Sequence, residues 1–471
     1  MSADGPRRAR PRTTLDPARR AAFQALLAVE VDDAYLNLVL PRLLDEHRLS
    51  GVDAAFATEL AYGAARLQGS YDAILATLVA GGLDSLEPAV LVGLRLGAHQ
   101  ELAMRVPSHA AVGTSVELVR ESVGERPVRL VNAILRKVGA ADLDGWLGAI
   151  APALADDPLA ALAVTTSHPR WVVGAFRDAL QTVERLPAGS DIEIARLKAA
   201  LDADNVAPQV SIAVRPGLAT VDELLAAGCA PARWSPYAAT LPAGDPSTID
   251  AVRSGRAGVQ DEGSQLAALA ISRVSVDGTD TRWLDLCAGP GGKSALLTGI
   301  GAERGAMVLA AERQPHRARL VASALRAYGQ PSAIVAADGT RPPWRSGAFD
   351  RVIADVPCSG LGALRRRPEA RWRRGAADLA RLTALQRALL DSAVDSTRTG
   401  GVVAYVTCSP HVAETRDVVD AVAGARGDVV EIDARELLPE VTDLGPGPHA
   451  QLWPHVHGTD ALFVSVLRRH C

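Results

Sequence analysis

Two cysteines of the 471-residue chain lie in short motifs that combine a reactive side chain with the end of an apolar segment. Cys358 lies in DVPCSG (residues 355–360) and Cys408 lies in YVTCS (residues 405–409), and both fall at or just past the end of a predicted strand. A thiolate is a nucleophile, and positive or hydrogen-bonding neighbours favour it by lowering the thiol pKa. A lone cysteine in such a place is usually buried and inert. Two of them on neighbouring strand ends favour covalent chemistry.

A glycine-rich segment is the second candidate for chemistry. Residues 282–294 have the sequence RWLDLCAGPGGKS, which predicts a short strand, a turn and the start of a helix. Backbone without Cβ atoms can approach a ligand closely, and such a strand–turn–helix holds nucleotide-like ligands in α/β proteins. The candidate ligand-binding residues are Cys287, Ala288, Gly289, Pro290, Gly291, Gly292 and Lys293.

Three kinds of ligand site compete for this loop. A dinucleotide site needs G-x-G-x-x-G, a spacing that the glycines here do not complete. A phosphate loop needs G-x-x-x-x-G-K-[ST]; Gly292-Lys293-Ser294 fits its end, but Cys287 occupies the position of its first glycine. The third is the S-adenosylmethionine loop of a class I methyltransferase. A plain strand–helix turn without a ligand is the remaining interpretation.

Acidic residues end the predicted strands that follow the loop. Glu312 lies about 20 residues after it, where a carboxylate can accept hydrogen bonds from a ribose diol. Asp338 ends the next predicted strand and could bind an adenine amine, and Asp355 ends the strand before Cys358. Glu312 and Asp338 could instead cap the helices that follow them.

These residues are positioned by a predicted alternation of strands and helices. Strands are predicted at residues 283–286, 306–312, 332–338, 349–357, 400–409 and 461–469. The alternation predicts a Rossmann-like, doubly wound sheet that is largely parallel. Ligands bind at the carboxyl ends of such strands. The glycine loop, the carboxylates and both cysteines should therefore meet at one edge of the sheet.

The region before the sheet is predicted to contain further parts. Residues 1–13 are basic and rich in proline and arginine, which predicts a disordered tail. Residues 14–140 have helical periodicity throughout, starting at Asp16-Pro17 with a capping aspartate and a proline at the first helical position. Residues 141–255 predict a helical connector and a small α/β subdomain, and residues 256–471 predict the sheet domain.

Composition limits the class of protein. Hydrophobic residues make up 48% of the chain, so sizeable cores can form. No apolar run approaches the roughly 18 residues of a membrane helix and no secretory signal is apparent, so we expect a cytoplasmic protein without a membrane partner. The five cysteines form no C-x-x-C pattern, which argues against a metal site or a disulfide framework. At a net charge of −4, any nucleic-acid site must be a local patch.

Taken together, these motifs resemble a known family. LDLCAGPGGKS, the acidic strand ends, DVPCSGLG and YVTCS are similar to the NOL1/NOP2/Sun family of RNA cytosine-5 methyltransferases, with Val356 where alanine is more usual. Residues 53–63 (DAAFATELAYG) and 129–137 (RLVNAILRK) resemble the NusB-like RNA-binding domain. The resemblance implies a NusB-like helical domain, a class I methyltransferase domain and S-adenosyl-L-methionine as cofactor. It also implies RNA as partner, with 16S rRNA the expected substrate and a monomer the expected state.

The resemblance further implies roles for the candidate residues. A thiolate that adds to C6 of cytosine makes C5 a nucleophile for a methyl group. The family places this thiolate in Thr-Cys-Ser, here Cys408, and uses the other cysteine, Cys358, in product release. The proline–cysteine pair at Cys358 is also similar to the nucleophile of DNA cytosine methyltransferases, which would reverse the roles. The cofactor would be held by the glycine loop with Glu312, Asp338 and Asp355. Asp355 could instead assist addition at the N3 edge of the base.

An arginine-rich run lies between the two cysteine motifs. Residues 365–374 contain six arginines and one tryptophan, which could bind phosphates and stack a base or could form a solvated surface. The predicted RNA contacts are Arg365, Arg366, Arg367, Arg371, Trp372 and Arg373. Two other functions stay open: an RNA-associated NTPase that uses Gly292-Lys293-Ser294, and a non-enzymatic RNA-binding scaffold. The cysteine pair argues against both.

Overall fold

The computed structural model describes residues 16–184, 186–187, 189–329 and 332–471, so the predicted tail at 1–13 lies outside the described residues. The chain divides into two compact units, Met1–Ser167 and His168–Cys471. Among the described residues, no helix has both the length and the apolar character that crossing a membrane requires.

The first unit is helical, as its periodicity predicts. Asp16 caps the first helix, because its carboxylate accepts a hydrogen bond from the backbone N–H of Ala18 and Pro17 occupies the first helical position. The helices are α1 (Pro17–Asp32), α2 (Leu36–Glu46), α3 (Gly51–Arg66), α4 (Gln68–Leu78), α5 (Pro88–Leu102), α6 (Ser108–Val123), α7 (Val128–Val138), α8 (Leu143–Ile150) and α9 (Pro158–Thr165).

Helix α5 is the centre of this unit. It is buried on all sides over Val90–Gln100, which fits a helix surrounded by others rather than an amphipathic surface helix. One core joins it to α1, α2 and α3, and a second joins it to α4, α6 and α7. Helix α8 packs on the second core, and the indole of Trp146 donates a hydrogen bond of 2.7 Å to the carbonyl of Val138. Residues 141–165, predicted as a helical connector, therefore belong to the first unit.

The second unit combines two sheets with helices. Its helices are α10 (Arg170–Glu184), α11 (Asp191–Asp204), α12 (Val221–Ala226), α13 (Asp250–Arg253), α14 (Glu262–Arg273), α15 (Gly292–Glu303), α16 (Pro315–Leu325), α17 (Ala370–Arg373), α18 (Asp378–Ser396), α19 (Arg416–Ala425) and α20 (Pro454–His457). Its strands are β1 (Val210–Val214), β2 (Ala230–Pro231), β3 (Ala238–Leu241), β4 (Ala257–Val259), β5 (Arg282–Asp285), β6 (Met307–Glu312), β7 (Ser332–Ala336), β8 (Phe349–Asp355), β9 (Thr397–Thr407), β10 (Val429–Ile432), β11 (Ala450–Gln451) and β12 (Phe463–Arg469).

The smaller sheet is antiparallel, with the order β2-β3-β1-β4. Strand β1 and the helix α12 that follows it, with Thr220 as its cap, lie in the region predicted as a small α/β subdomain. The sheet takes its last strand from Ala257–Val259, just beyond the predicted boundary at 255, and α14 then begins the larger domain.

The larger sheet has the order β10-β12-β9-β8-β5-β6-β7. The strands from β7 to β9 pair in parallel, which confirms the predicted doubly wound sheet, while β12 and β10 add an antiparallel edge. Chain order runs outward from β5 through β6 to β7 and in the opposite direction from β8 to β9. The carboxyl ends of β5 and β8 therefore flank the topological switch point, where ligands bind in such sheets.

Candidate active site

The glycine loop connects β5 to α15 at the switch point, and Glu312 at the end of β6 fastens it. The backbone N–H of Gly289 donates a hydrogen bond of 3.1 Å to Oε2 of Glu312. A Cβ at position 289 would collide with that carboxylate, so close approach requires glycine there. Gly291, which caps α15, has φ +112° and likewise requires glycine. The loop is thus shaped by its glycines, as the sequence predicts.

Glu312 is buried but keeps acceptor capacity. Its second oxygen accepts a hydrogen bond of 2.9 Å from the backbone N–H of Gln314, and Arg317 Nε lies 3.7 Å from Oε2. Each carboxylate oxygen can accept a further hydrogen bond. Arg317 also donates to the carbonyl of Gly289 at 2.6 Å, which ties the loop to α16. The predicted contact of Glu312 with a ribose stays a prediction.

Lys293 in the first turn of α15 points across the switch point to β8. Its Nζ donates a hydrogen bond of 2.7 Å to Oδ2 of Asp355, and the lysine is only 8% exposed. Burial lowers the pKa of Lys293, but the charge and hydrogen bond of Asp355 and the electrostatic interaction with Cys408 outweigh it and raise the pKa. The ammonium therefore stays charged between the carboxylate and the second cysteine motif.

Asp285 at the end of β5 was not among the predicted site residues. It is buried, and its Oδ2 accepts a hydrogen bond of 2.6 Å from the hydroxyl of Ser294. Burial is the main cause that raises the pKa of Asp285 to about 7. The strand-end position that singled out Glu312 and Asp355 applies to Asp285 equally, so this signal was available in the sequence.

Asp338, beyond the end of β7, lies in a turn. Its Oδ1 accepts hydrogen bonds from the backbone N–H of Thr340 at 3.0 Å and from the hydroxyl of Thr340 at 2.8 Å. These bonds from Thr340 lower the pKa of the carboxyl. Such bonds stabilise a local turn, and the residues that follow lead to β8 and not to the helix that the alternative interpretation required. The proposed contact with adenine stays a prediction.

The two predicted cysteines meet at the carboxyl ends of adjacent strands. Strands β8 and β9 pair in parallel with Asp355 opposite Val406, so both chains turn away from the sheet at one level. The Sγ atoms of Cys358 and Cys408 lie 3.2 Å apart. The hydrogen bond with Cys408 is the main cause that raises the pKa of Cys358, and burial and the charges of Cys408, Glu414 and Asp355 act in the same direction. Cys358 is therefore held as a neutral thiol.

A buried carboxylate, Glu414, joins the two cysteine motifs and was not identified from the sequence. One oxygen accepts hydrogen bonds from the backbone N–H of Ser359 at 2.7 Å and from the Gln386 amide at 2.9 Å. The other accepts from the hydroxyl of Ser409 at 2.7 Å and from the hydroxyl of Ser359. Glu414 lies six residues after Cys408, at the end of a short helical turn, and no sequence pattern pointed to it.

The arginine run is placed differently from the prediction at Arg365 and Arg371. Arg365 is buried and bonds Asp460 at 2.8 Å and Asp261 at 3.0 Å, and Arg366 bonds the same two carboxylates. Arg371 is fully buried and donates to the side chain of Asn205 at 2.9 Å. The burial of Arg365 and Arg371 among acids and amides of the chain argues against their contact with RNA, whereas Arg366 is partly exposed and its predicted contact stays a prediction.

The other three residues of the run reach the surface. Arg367 and Trp372 are exposed and Arg373 is partly exposed, with 37% of Trp372 accessible. They lie on or beside the short helix α17, directly after the Cys358 motif. Their exposure at the surface is compatible with the predicted phosphate and base contacts, which stay predictions. In the described part of the chain, no cluster of three or more His, Cys, Asp or Glu side chains could hold a metal ion.

Comparison with known proteins agrees with this architecture. The model of the 16S rRNA methyltransferase RsmB/F family matches residues 275–468, and the model of the NusB family matches residues 16–140. A Mycobacterium tuberculosis protein named as a methyltransferase is 50% identical over 99% of this chain and 98% of its own length. Ribosomal RNA small subunit methyltransferase B of Pseudomonas syringae pv. tomato is 30% identical over 88% of each chain.

Solved structures share the fold. The crystal structure of PH0851 has a TM-score of 0.78 and 19% identity, and the match covers 97% of this chain and 99% of that one. NSun6 from Pyrococcus horikoshii with SFG has a TM-score of 0.51 and 15% identity, covering 63% of this chain and 97% of its own. The two family models and the near full-length relatives together show that the chain belongs to the 16S rRNA methyltransferase RsmB/F family, with a NusB-family domain before the methyltransferase domain.

Proposed function

We propose that this protein transfers a methyl group from S-adenosyl-L-methionine to C5 of a cytosine in 16S rRNA, through a covalent bond between Cys408 and C6. The pair of thiols at the ends of β8 and β9 is the observation that supports this most directly. The family membership and the names of the relatives support ribosomal RNA as the substrate. The modified cytosine would be found by mapping rRNA from a strain that lacks this gene.

The residues at the switch point fit the proposed cofactor. The glycine loop exposes backbone at the carboxyl end of β5, and Glu312 has acceptor positions left for a ribose diol. Asp338 is the proposed partner of the adenine amine. The fold-sharing NSun6 structure holds SFG, an analogue of S-adenosylmethionine, which agrees with this choice. The cofactor supplies an electrophilic methyl group on its sulfonium when bound.

The surroundings of the two thiols support different roles for them. Lys293 interacts electrostatically with Cys408. Cys358 faces the carboxylates of Glu414 and Asp355, which disfavour its ionisation. Cys408 is therefore the proposed nucleophile that adds to C6 of the base. Asp355, paired with Lys293, is the proposed acidic group near the N3 edge.

Release of the product completes the proposed cycle. The bond between Cys408 Sγ and C6 must break with its electron pair returning to sulfur, which takes a proton from the Cys358 thiol, and the resulting Cys358 thiolate accepts the C5 proton as the C5–C6 double bond forms again. Cys358 lies beside that sulfur and is the proposed acid–base group of this step. Arg367, Trp372, Arg373 and the NusB-family domain are the proposed contacts with RNA.

Titration calorimetry with S-adenosylmethionine and with ATP tests the cofactor. We expect binding of S-adenosylmethionine alone, because Lys293 and Ser294 are already bonded to Asp355 and Asp285 and are not free to bind phosphates. ATP binding without S-adenosylmethionine binding would favour the NTPase. Binding of neither, with RNA affinity intact, would favour the RNA-binding scaffold.

A further inference from the structure

Glu414 is a carboxylate buried at the base of both cysteine loops. The side chain is 0% exposed and lies in a short helical turn between β9 and α19. Its two oxygens accept four hydrogen bonds, from the backbone and hydroxyl of Ser359, the hydroxyl of Ser409 and the amide of Gln386. Its own carbonyl accepts a hydrogen bond of 2.7 Å from the hydroxyl of Tyr405. The carboxylate thus contacts the residue after each cysteine.

The bonding pattern of Glu414 fits a charged acceptor. An ionised carboxylate only accepts hydrogen bonds, and all four contacts to its oxygens come from donors. Leaving such a group buried is costly unless its lone pairs are satisfied. The hydroxyl oxygens of Ser359 and Ser409 also lie 3.1 Å from each other, so the two loops are in contact beside the carboxylate that accepts from both.

These contacts set the separation of the two thiols. Cys358 and Cys408 each precede a serine that Glu414 holds. Cys408 directly follows the last residue of β9, which also fixes its position. Two residues separate Cys358 from the end of β8, so the strand holds Cys358 less directly. A loss of the Glu414 contacts should therefore displace Cys358 more than Cys408.

We propose that Glu414 is a positioning residue that holds Cys358 against Cys408 for release of the methylated product. The inference rests on the proposed function. Glu414 itself is not proposed to contact the substrate, because its carboxylate oxygens already accept hydrogen bonds from the two cysteine loops. Displacement of a reacting group by about 1 Å can cost about 100-fold in rate, so a modest loosening of the Ser359 loop is enough to slow release.

The test compares Glu414→Gln and Glu414→Ala with wild type in single-turnover reactions on 16S rRNA. Methylated cytosine and denaturation-resistant protein–RNA adduct are measured in the same samples. Glu193→Gln is the matched control, because Glu193 is also a buried carboxylate, 1% exposed, and accepts hydrogen bonds from Gln181 and from the backbone of Gly189 away from the cysteines.

We expect Glu414→Gln to raise the ratio of adduct to released product at least about tenfold, with Glu414→Ala larger, while affinity for S-adenosylmethionine is unchanged. The control should lower Tm and leave the ratio as in wild type. Adding Glu414→Gln to Cys358→Ser should raise the ratio no further, because both changes act on one step.

Three outcomes would overturn the proposal. One is an unchanged ratio in both Glu414 variants, and another is an additive effect with Cys358→Ser. The third is a loss of rate that comes with weaker binding of S-adenosylmethionine, which would mean that Glu414 supports the fold as a whole. A wild-type protein that forms no methylated cytosine would contradict the proposed function itself, which separates the two failures.

Discussion

Sγ of Cys358 lies 3.2 Å from Sγ of Cys408, although 50 residues separate them in the chain. Their meeting follows from the parallel pairing of β8 with β9, in which Asp355 is opposite Val406 and both chains leave the sheet together. Lys293 on α15 interacts electrostatically with Cys408, and the charges of Glu414 and Asp355 contribute to the raised pKa of Cys358.

We expect Glu312→Ala to weaken S-adenosylmethionine binding by about tenfold or more, which corresponds to about 1.4 kcal/mol. The variant loses both the proposed ribose contact and the bond that fastens Gly289. RNA affinity should change little. Calorimetry on the two ligands measures both effects, with Glu303→Ala at the far end of α15 as control. An unchanged affinity for S-adenosylmethionine would contradict the proposed contact between Glu312 and the ribose.

Lys293→Met should slow formation of the protein–RNA adduct by about tenfold or more, because it removes the cation beside Cys408 and leaves Asp355 without its ion pair. The measurement is adduct formation in a single turnover at saturating cofactor. Lys198→Met, on the surface of α11 with 56% of its side chain exposed, serves as control. Equal rates for the two variants would exclude a role for the Lys293 charge.

Substitutions in the arginine run should have two kinds of effect, one on the salt dependence of RNA binding and one on the stability of the protein. Arg367→Ala and Arg373→Ala are each expected to reduce the slope of log affinity for RNA against log salt by about 1, since each removes a proposed phosphate contact. Arg365→Ala should leave the slope unchanged and lower the free energy of unfolding by about 3–5 kcal/mol, because it leaves Asp460 and Asp261 buried without this partner. A wild-type salt slope in Arg367→Ala and Arg373→Ala would mean that these two arginines are solvated surface residues that do not contact RNA.

Asp204 at the end of α11 should make stability depend on pH. Burial raises its pKa to about 8, against the opposing charges of Arg371 and Arg365, whereas an unfolded aspartate titrates near about 3.9. Between these values the folded chain holds a proton that the unfolded chain releases. The free energy of unfolding should therefore fall as pH rises from about 4 to about 8, by at most about 1.4 kcal/mol per pH unit.

Asp204→Asn should remove this part of the pH dependence. We expect the variant to gain stability relative to wild type between pH 5 and pH 8 in chemical denaturation, with the exposed neighbour Asp202→Asn as control. The same pH slope in wild type and in Asp204→Asn would contradict the raised pKa.

Sequence patterns within single segments predicted the strands and helices that those segments form. The apolar segments ending in Glu312 and Asp355 form β6 and β8, and the capped start at Asp16-Pro17 begins α1. Strand β10 (Val429–Ile432) was missed because it is a short edge strand whose residues are half-buried or exposed, so it has no clear alternation. It forms because β12 offers an edge to pair with.

The parts of the site that escaped prediction depend on distant partners. Arg365 looks like a surface charge in its own segment, and only the fold brings Asp261 and Asp460 to it. Glu414 belongs to the site because it accepts a hydrogen bond from Ser359, which lies 55 residues earlier in the chain. Resemblance identified the cysteines and the glycine loop because those motifs are continuous in sequence. Contacts between separate segments have no such signature.

The roles of the two cysteines are the central claim, and single serine substitutions test it most directly. Each variant is incubated with S-adenosylmethionine and 16S rRNA, and denaturation-resistant adduct and methylated cytosine are measured together. The account predicts that Cys408→Ser forms neither, because the base is never activated. It predicts that Cys358→Ser transfers the methyl group and then accumulates the adduct, because a serine hydroxyl is a far weaker acid than the thiol beside Cys408. Adduct that accumulates in Cys408→Ser and is absent in Cys358→Ser would contradict the account and reverse the roles.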